Sequence, residues 1–276
     1  MQADDSVLVI EPTSSWRGID LREVWRYREL LYFFVWRDVK VRYKQTVLGV
    51  AWAVIQPLFA MIVFAFFFGR IAKLPSDGVP YPLFTYAGLL PWTFFANALT
   101  SGSQSLIGSA HLVSKVFFPR ILVPVSAVTT TLVDFGFALL MLAPLLWWHE
   151  QMPRANALIG IPLAMLAAYL LVLGLSIWLS ALVVAFRDLR HVIPFVTQIW
   201  MFATPIVYSL SLVPERWRPY VMLNPMVPVV ETFRNSLFGR PMPLGGLAWS
   251  AALAVVLIAT GSIYFRRLER SFVDVM

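Results

Sequence analysis

The chain has 276 residues, of which 59% are hydrophobic and 13% are charged, and its mean hydropathy is +0.73. Soluble globular domains carry about 25% charged residues, so this composition excludes a soluble protein and indicates one helical membrane domain. The chain contains no cysteine, which excludes disulfides, thiol catalysis and cysteine-based metal sites. Its net charge of +7 does not indicate nucleic-acid binding, because the basic residues are distributed as a membrane topology would place them.

The N-terminal part of the chain is polar and then amphipathic. Residues 1–20 lack the apolar core of a signal peptide and are expected to form a polar tail. Residues 21–45 have the periodicity of a helix with a charged face opposite an aromatic-rich face, which suits the headgroup boundary of a membrane. A soluble amphipathic helix docked on a partner is the alternative. The charged face contains Arg22, Arg26, Glu29, Arg37, Lys40 and Lys44, and the apolar face contains Leu21, Val24, Trp25, Leu31, Tyr32, Val35, Trp36, Val39 and Tyr43.

Six apolar stretches carry almost none of the charge of the chain. A helix that rises ~1.5 Å per residue needs roughly 20 residues to cross ~30 Å of hydrocarbon, and each stretch is about that long or longer. Backbone amides must be paired inside lipid, so such stretches cross as helices. We therefore predict an all-α, multi-pass membrane protein with six transmembrane helices. The predicted spans are 47–69, 83–101, 121–148, 157–186, 192–213 and 246–265.

The distribution of Lys and Arg predicts the orientation of these spans. With the N-terminus inside, the segments on the cytoplasmic side hold 15 of the 22 Lys and Arg residues, and the opposite side holds 7. Because cytoplasmic segments carry the basic excess, both termini are expected in the cytoplasm. The same excess favours contact with anionic membrane lipids.

Two connections between the predicted spans are unusual. Residues 102–120 contain small polar residues followed by an apolar pattern, which predicts a short helix lying across the inner surface. Residues 214–240 are punctuated by prolines and include an apolar segment too short to cross, which predicts a re-entrant or interfacial helix pair on the outer side. Glu231 and Arg234 stand three residues apart in this segment and are expected to pair.

The sequence lacks the motifs of nucleotide hydrolysis and of catalysis. The dipeptide Gly-Lys does not occur, so there is no phosphate-binding loop and the chain is not expected to hydrolyse ATP. No Ser/His/Asp or paired-carboxylate pattern falls on one predicted face, and the three histidines are too widely separated to predict a metal site. Asp134 is the only ionisable residue deep in a predicted span. It is either hydrogen-bonded to a neighbouring helix or nearby threonines, or part of a channel or subunit interface.

Aromatic residues make up 15% of the chain, and their role is open from the sequence alone. Trp and Tyr near the ends of spans form interfacial belts by default, and other rings pack in the core. Rings that face a path through the membrane would instead stack weakly against sugars. The candidates for lining such a channel are Phe59, Phe66, Trp92, Phe95, Trp200 and Tyr208.

Five sequence blocks together carry a resemblance to a known family. They are RYKQTVLGVAWAVIQPL (42–58), GLLPWTFFANAL (88–99), SLIGSAHLVSKVFFPRILVP (105–124), FRDLRHVIPFVTQIWMFATPIVYS (186–209) and LNPMVPVVETFRNSLFG (223–239). In this order they resemble the membrane subunit of ABC exporters for bacterial surface polysaccharides, the O-antigen and teichoic-acid permeases of the ABC-2 type. The resemblance covers nearly the whole chain, and capsule-type permeases resemble it less.

The resemblance implies a homodimeric permease that works with two copies of a separate ABC ATPase, which uses ATP and Mg²⁺. It implies export of a polysaccharide linked to polyprenyl pyrophosphate, similar to O-antigen, across the cytoplasmic membrane, and the O-antigen-like pattern favours a Gram-negative over a Gram-positive cell. A teichoic-acid, capsule, drug or small-lipid exporter is the alternative. ATPase contact is implied for a coupling helix over residues 106–118 and for the turn 187–191. The residues concerned are Leu106, Ile107, His111, Leu112, Val113, Lys115, Arg187, Asp188 and Arg190.

The expected substrate sites rest partly on charge and partly on the resemblance. Four basic residues held at the level of the lipid headgroups would attract a pyrophosphate, namely Arg37, Lys40, Arg42 and Lys44. The resemblance places Leu48 and Gly49 beside the point of substrate access. It also implies that residues 214–240 form an outer gate over the channel, with Asn224, Pro225, Glu231 and Arg234 as its candidate residues.

Overall fold

The computed structural model describes residues 25–44, 49–116 and 118–269, and within these ranges every regular element is a helix. The predicted all-α class is therefore confirmed. The helices are α1 (Arg28–Lys44), α2 (Gly49–Phe64, continued by the π-helical segment Ala65–Ile71), α3 (Tyr81–Gly108), α4 (Ala110–Lys115), α5 (Leu122–Leu140), α6 (Leu142–Trp148), α7 (Ala157–Ala185), α8 (Leu189–Phe202), α9 (Arg218–Met222), α10 (Met226–Phe238) and α11 (Leu244–Glu269). A 3₁₀ turn, Leu210–Leu212, lies between α8 and α9.

Four helical segments of the described residues are long and apolar enough to cross a membrane. They are Gly49–Ile71, Leu122–Trp148, Ala157–Ala185 and Leu244–Glu269. These segments coincide with four of the six predicted spans, so the chain is an integral membrane protein. The predicted span 83–101 lies within α3, whose 28 residues correspond to a length of about 42 Å. The polar residues near the end of α3 lower its hydropathy, and the count of six spans stays a prediction.

The prediction of one continuous helix over residues 192–213 is wrong. Helix α8 has 14 residues and ends at Phe202, which gives it a length of only about 21 Å. Pro205 cannot donate a backbone hydrogen bond and disfavours helical geometry in the residue before it, so the helix ends just ahead of it. The chain from Thr204 to Val207 is nevertheless buried. Hydropathy predicted a membrane-spanning helix here, whereas residues 204–207 are buried within the protein without helical geometry.

Helix α3 lies at the centre of the bundle. Every residue from Leu83 to Trp92 is buried, and α3 packs against α5, α7 and α10, while α11 runs along α7. Close approach at these contacts depends on small residues, as is common between membrane helices. A Cβ atom on Gly102 would lie 2.6 Å from the Cβ of Ser176, so α3 and α7 meet there without room for a methyl group.

Helix α1 packs on the bundle through Phe34, which belongs to neither the charged face nor the apolar face predicted from the sequence. Phe34 is buried and stacks edge-on against Phe118, with the ring centroids 5.2 Å apart. Trp25, Tyr32 and Trp36 remain exposed, as expected for a helix that also meets lipid headgroups. Residues 1–24 and 45–48 lie outside the described ranges, so the polar tail and the first residues of the predicted interfacial helix stay predictions.

Candidate functional site

A cavity of about 650 Å³ opens between α2, α3 and α5, and we call it the span cavity. Two residues expected near substrate access, Arg42 and Gly49, line it. Its walls combine aromatic rings with amides and hydroxyls, the groups that contact the apolar faces and the hydroxyls of sugars. The rings are Trp52, Phe94 and Phe135, and the polar side chains include Gln56, Thr93, Asn97, Thr100, Ser101, Thr131 and Asp134.

Asp134 closes one end of the span cavity through an ion pair. Its carboxylate accepts hydrogen bonds from the Arg42 guanidinium and from the Tyr43 hydroxyl, both near the end of α1. The interpretation of Asp134 as hydrogen-bonded to a neighbouring helix is therefore confirmed, although its partners are in α1 and are not the nearby threonines. Burial and the hydrogen bond to Asp134 raise the pKa of Tyr43, so the phenol stays protonated and continues to donate.

The four basic residues predicted to attract a pyrophosphate fall into two kinds. Arg37 pairs with Asp38, whose carboxylate lies 2.7 Å from the guanidinium, and Arg42 pairs with Asp134. Lys40 and Lys44 are exposed, and the Lys40 ammonium lies 4.3 Å from the centroid of the Trp36 ring. The positive charge available to a ligand is therefore smaller than the sequence indicated. Leu48, which the resemblance placed at this point, lies outside the described residues.

A row of polar residues on α3, which we call the polar stripe, was missed by sequence reasoning. It consists of Thr93, Asn97, Thr100, Ser101, Gln104 and Ser105. The first four line the span cavity. Their spacing of three and four residues places them on one side of the helix, and this periodicity was readable in the sequence. The predicted boundary at residue 101 divided this row between an apolar span and the polar connection 102–120, so its continuity was not predicted.

The predicted coupling helix over residues 106–118 is divided in the structure. Leu106 is fully buried at the end of α3, Ser109 forms the turn, and α4 is limited to Ala110–Lys115. Ile107 is half-buried, and Val113 belongs to α4, but its side chain lies outside the described set. His111 and Lys115 are exposed, and Leu112 is half-buried. Contact of these residues with an ATPase stays a prediction.

The short turn between α7 and α8 lies beside the end of α3. Arg187 and Asp188 are exposed in this turn, and Arg190 is exposed in the first turn of α8, where its carbonyl accepts from the Gln104 amide of α3 over 3.2 Å. The two segments expected to meet the ATPase are therefore close to one another, on either side of the end of α3.

The six aromatic residues predicted to line a channel occupy different environments. Trp92 and Phe95 are buried in the core, where the ring centroids of Phe95 and Trp200 lie 5.1 Å apart. Phe59 and Phe66 are exposed on α2. Tyr208 is half-buried and donates to the Phe202 carbonyl over 3.4 Å. Within this chain the rings that line the span cavity belong to other positions, and a channel role for these six stays a prediction.

Arg234 is buried at the centre of the predicted outer gate, with 1% of its surface exposed. Its guanidinium lies 2.9 Å from the Glu231 carboxylate, so the predicted pair is confirmed. The same guanidinium donates to three carbonyls at distances of 3.0 to 3.2 Å and lies 3.7 Å from the centroid of the Phe84 ring. The acceptors are the carbonyls of Phe84, Pro205 and Ile206. Arg234 therefore satisfies two carbonyls of the non-helical segment after α8 and ties that segment to α3.

Gly88 and Asn224 complete this arrangement. A Cβ atom on Gly88 would lie 2.4 Å from an Arg234 nitrogen, so only glycine leaves room for the guanidinium. The Asn224 side chain accepts from the Met226 backbone amide and from the Trp200 indole, and it donates to the Thr204 hydroxyl over 3.0 Å. Asn224 thus caps α10 and fastens it to the end of α8. The carbonyl of its neighbour Pro225 accepts from the Ser250 hydroxyl over 2.7 Å, which ties the start of α10 to α11.

Asp77 joins three connections between helices. Its carboxylate accepts from the hydroxyls of Ser209 and Ser211, and the Arg240 guanidinium lies 3.3 Å away. Burial acts to raise the pKa of Asp77, but the two hydroxyls and the charge of Arg240 outweigh it and hold that pKa below its ordinary value. The loop after α2 is thereby tied to the segments that follow α8 and α10.

The Asp77 contact predicts a defined response to acid. Because its folded pKa lies below the unfolded value of about 3.9, its contribution to stability is complete above that value and is lost as the pH falls through the folded pKa. The wild type should therefore unfold at a higher temperature than Asp77→Asn at pH 6, and the gap should shrink below about pH 4. Thermal unfolding in detergent across this range measures it. The matched control is Glu150→Gln, which changes an exposed acid in the turn between α6 and α7. A difference in unfolding temperature between the wild type and Asp77→Asn that does not change with pH would contradict the prediction.

The fold is that of an all-helical integral membrane protein with a polar cavity between its spans. A family model described as ABC-2 type transporter matches residues 29–238, and the chain belongs to this family. It is 31% identical over 258 residues to the O-antigen export system permease protein RfbA of Myxococcus xanthus, covering 92% of this chain and 98% of that protein. It is also 26% identical to an O-antigen export system permease protein RfbA of Klebsiella pneumoniae, covering 90% and 95%. Identity to the polysialic acid transport protein KpsM of Escherichia coli is 24%, covering 85% and 92%.

Proposed function

We propose that this chain is the membrane-spanning permease of an ATP-driven exporter that moves a polyprenyl-pyrophosphate-linked polysaccharide, of the O-antigen kind, across the cytoplasmic membrane. The observation that carries the proposal is the span cavity, which places aromatic rings, amides and hydroxyls beside a basic helix in a family whose relatives include O-antigen export permeases. Such a lining suits a molecule with a greasy tail, an anionic head and a hydrophilic glycan.

The proposed assembly contains two copies of this chain and two copies of a separate ATPase that uses ATP and Mg²⁺. Helix α2 supports a second copy, because only Pro57 and Met61 of its 16 residues are buried. An exposed apolar face on α8, which includes Phe195 and Ile199, supports it as well. In this arrangement both termini lie in the cytoplasm, and α4 with the turn 187–191 receives the movement of the ATPase.

The export proposal is tested in a strain from which the gene has been deleted. Lipid-linked glycan should accumulate on the cytoplasmic face of the membrane, detected by its protection from an external lectin until the cells are opened. Complementation with the wild-type gene should move the glycan to the outside. Absence of any accumulated polymer, with its synthesis enzymes active, would show that the protein does not export it.

Coupling to the ATPase is tested by Leu112→Asp in α4. A carboxylate in this partly buried apolar contact should separate ATP hydrolysis from export, so that glycan appearing outside per ATP hydrolysed falls by about tenfold or more. The assay uses the complete exporter in vesicles with both quantities measured together. The matched control is Met152→Asp, a charge placed on an exposed residue of the outer turn between α6 and α7. Unchanged coupling in Leu112→Asp would remove α4 from the ATPase contact.

A capsule polysaccharide is the second candidate substrate, because KpsM of Escherichia coli is a polysialic acid transport protein and aligns over most of the chain. The two candidates differ in the exported product, so isolating the accumulated glycan and determining its lipid anchor distinguishes them. A polyprenyl pyrophosphate anchor supports the proposal above, and another anchor supports the capsule alternative.

A further inference from the structure

A second cavity, of about 480 Å³, lies at the end of α3 opposite to the outer gate. Four elements surround it: α1, the end of α3 with the turn before α4, the first residues of α5, and the start of α8. Its lining is rich in hydrogen-bond donors and contains one carboxylate, that of Asp38. The other polar side chains of its lining are those of Arg37, Gln104, Ser105, Ser109, Ser126, Ser101 and Arg190.

Both arginines of the second cavity have guanidinium groups available to a ligand. Arg37 donates to one Asp38 oxygen through Nε and Nη2, which leaves its Nη1 group without a partner among the described residues. Arg190 donates through Nε to His191, and its two terminal nitrogens make no hydrogen bond within the described chain. The terminal nitrogens of two guanidinium groups form the kind of donor set that binds the oxygens of a phosphate.

The second cavity adjoins the span cavity. Ser101 lines both of them, and the polar stripe of α3 runs from one into the other without interruption. A molecule with an anionic group in the second cavity can therefore extend along polar residues toward the spans. The second cavity also contacts both segments proposed to meet the ATPase, because Ser109 stands directly before α4 and Arg190 lies in the first turn of α8.

We propose that the second cavity binds the phosphate or pyrophosphate head group of a membrane lipid. This inference rests on the proposed function and adds to it, since the lipid carrier of the exported glycan has such a head group. A bound head group would be held by Arg37 and Arg190 and would bridge α1 to the start of α8. The sequence did not predict that these two residues share a site. Arg37 was expected at the level of the lipid headgroups, and Arg190 was expected at the ATPase contact. Anionic phospholipids offer the same chemistry, and the experiment separates the two sources.

The test measures binding to the purified permease in nanodiscs of phosphatidylcholine. The probe is a short-chain polyprenyl pyrophosphate, and the polyprenyl alcohol of the same chain length is the ligand control. Arg37→Gln and Arg190→Gln should each weaken binding of the pyrophosphate by about tenfold, because each removes a charge-assisted hydrogen-bond donor. Arg187→Gln is the matched control, since it removes the same charge three residues before Arg190, at a position that does not line the cavity. Ala127→Leu, which fills the cavity without changing charge, should also weaken binding.

The experiment distinguishes failure of the site from failure of the export proposal. Equal binding of the alcohol and the pyrophosphate, or unchanged binding in Arg37→Gln, Arg190→Gln and Ala127→Leu, would overturn the site. Nanodiscs that contain phosphatidylglycerol identify the source: competition with the probe assigns the site to anionic phospholipid as well, and lack of competition assigns it to the carrier. Failure of the export proposal looks different, because the deletion strain would then retain no glycan although the purified protein still binds the probe.

Discussion

Replacing Arg234 by methionine should lower the free energy of unfolding by about 3–5 kcal/mol, because it removes one partner of a buried ion pair. Methionine fills a similar volume but cannot donate, so the Glu231 carboxylate and the carbonyls of Phe84, Pro205 and Ile206 would lose their donor together. Each unsatisfied buried acceptor adds a desolvation cost. Thermal unfolding of the purified protein in detergent measures the loss of stability. If the variant is too unstable to purify, the loss is seen as a low yield of folded protein.

Two further variants keep the Arg234 prediction open to contradiction. Gly88→Ala should also destabilise the protein strongly, because the added methyl group would displace the guanidinium from its position 2.4 Å away. Arg216→Met is the matched control, since Arg216 lies over the Trp217 ring and makes no ion pair among the described residues; its effect should stay within about 0.5 kcal/mol. If Arg234→Met were as mild as Arg216→Met, the guanidinium would not be what holds the broken end of α8.

Replacing Asp134 by alanine should release α1 from the bundle. The carboxylate is the shared acceptor of Arg42 and Tyr43, and hydrogen bonds to charged groups contribute about 1.5–3 kcal/mol. The Arg42 side chain is 36% exposed, so screening by solvent reduces this to about 1–2 kcal/mol. The expected results are a lower unfolding temperature and faster hydrogen exchange across α1.

The matched control for Asp134 lies within α1 itself. Asp38→Asn weakens an ion pair of the same type, but this pair joins neighbouring residues and connects no two elements. It should leave exchange in the second half of α1 nearly unchanged. The exchanged pair Arg42→Asp with Asp134→Arg should recover part of the protection lost in Asp134→Ala. Equal exchange in the wild type and in Asp134→Ala would show that α1 is held by its apolar contacts alone.

The sequence predicted the spanning helices well because lipid imposes a simple requirement. A charge-free stretch of about 20 residues must pair its own amides, and only a helix does so within one segment. Four of the predicted spans coincide with apolar helices for this reason. Residues 192–213 passed the same criterion, yet the carbonyls of Pro205 and Ile206 are satisfied from outside the segment by Arg234. A donor about 30 residues further along the chain leaves no trace in local hydropathy.

The site was predicted less completely because it depends on helix rotation and on distant partners. Phe94 lines the span cavity, whereas its neighbour Phe95 is fully buried, and only the rotation of α3 separates them. The Arg42–Asp134 pair joins residues 92 positions apart. Each residue was conspicuous on its own, as a basic group at the headgroup level and as a single acid in a span. Their contact required the packing of α1 on α5, which composition does not reveal.

The π-helical segment at the end of α2 fixes which residue meets α3. In a regular helix seven residues make about two turns, so Phe68 would share a face with buried Met61. The wider turns of Ala65–Ile71 take up about one more residue, so Gly69 lies against the Tyr81 ring while Phe68 still packs partly on the core. A Cβ atom on Gly69 would lie 2.7 Å from the Tyr81 ring, so a phenylalanine could not be accommodated there. A regular helix with the same number of residues would therefore turn an aromatic side chain toward the start of α3, and removing one residue at the same time would return the glycine to that place.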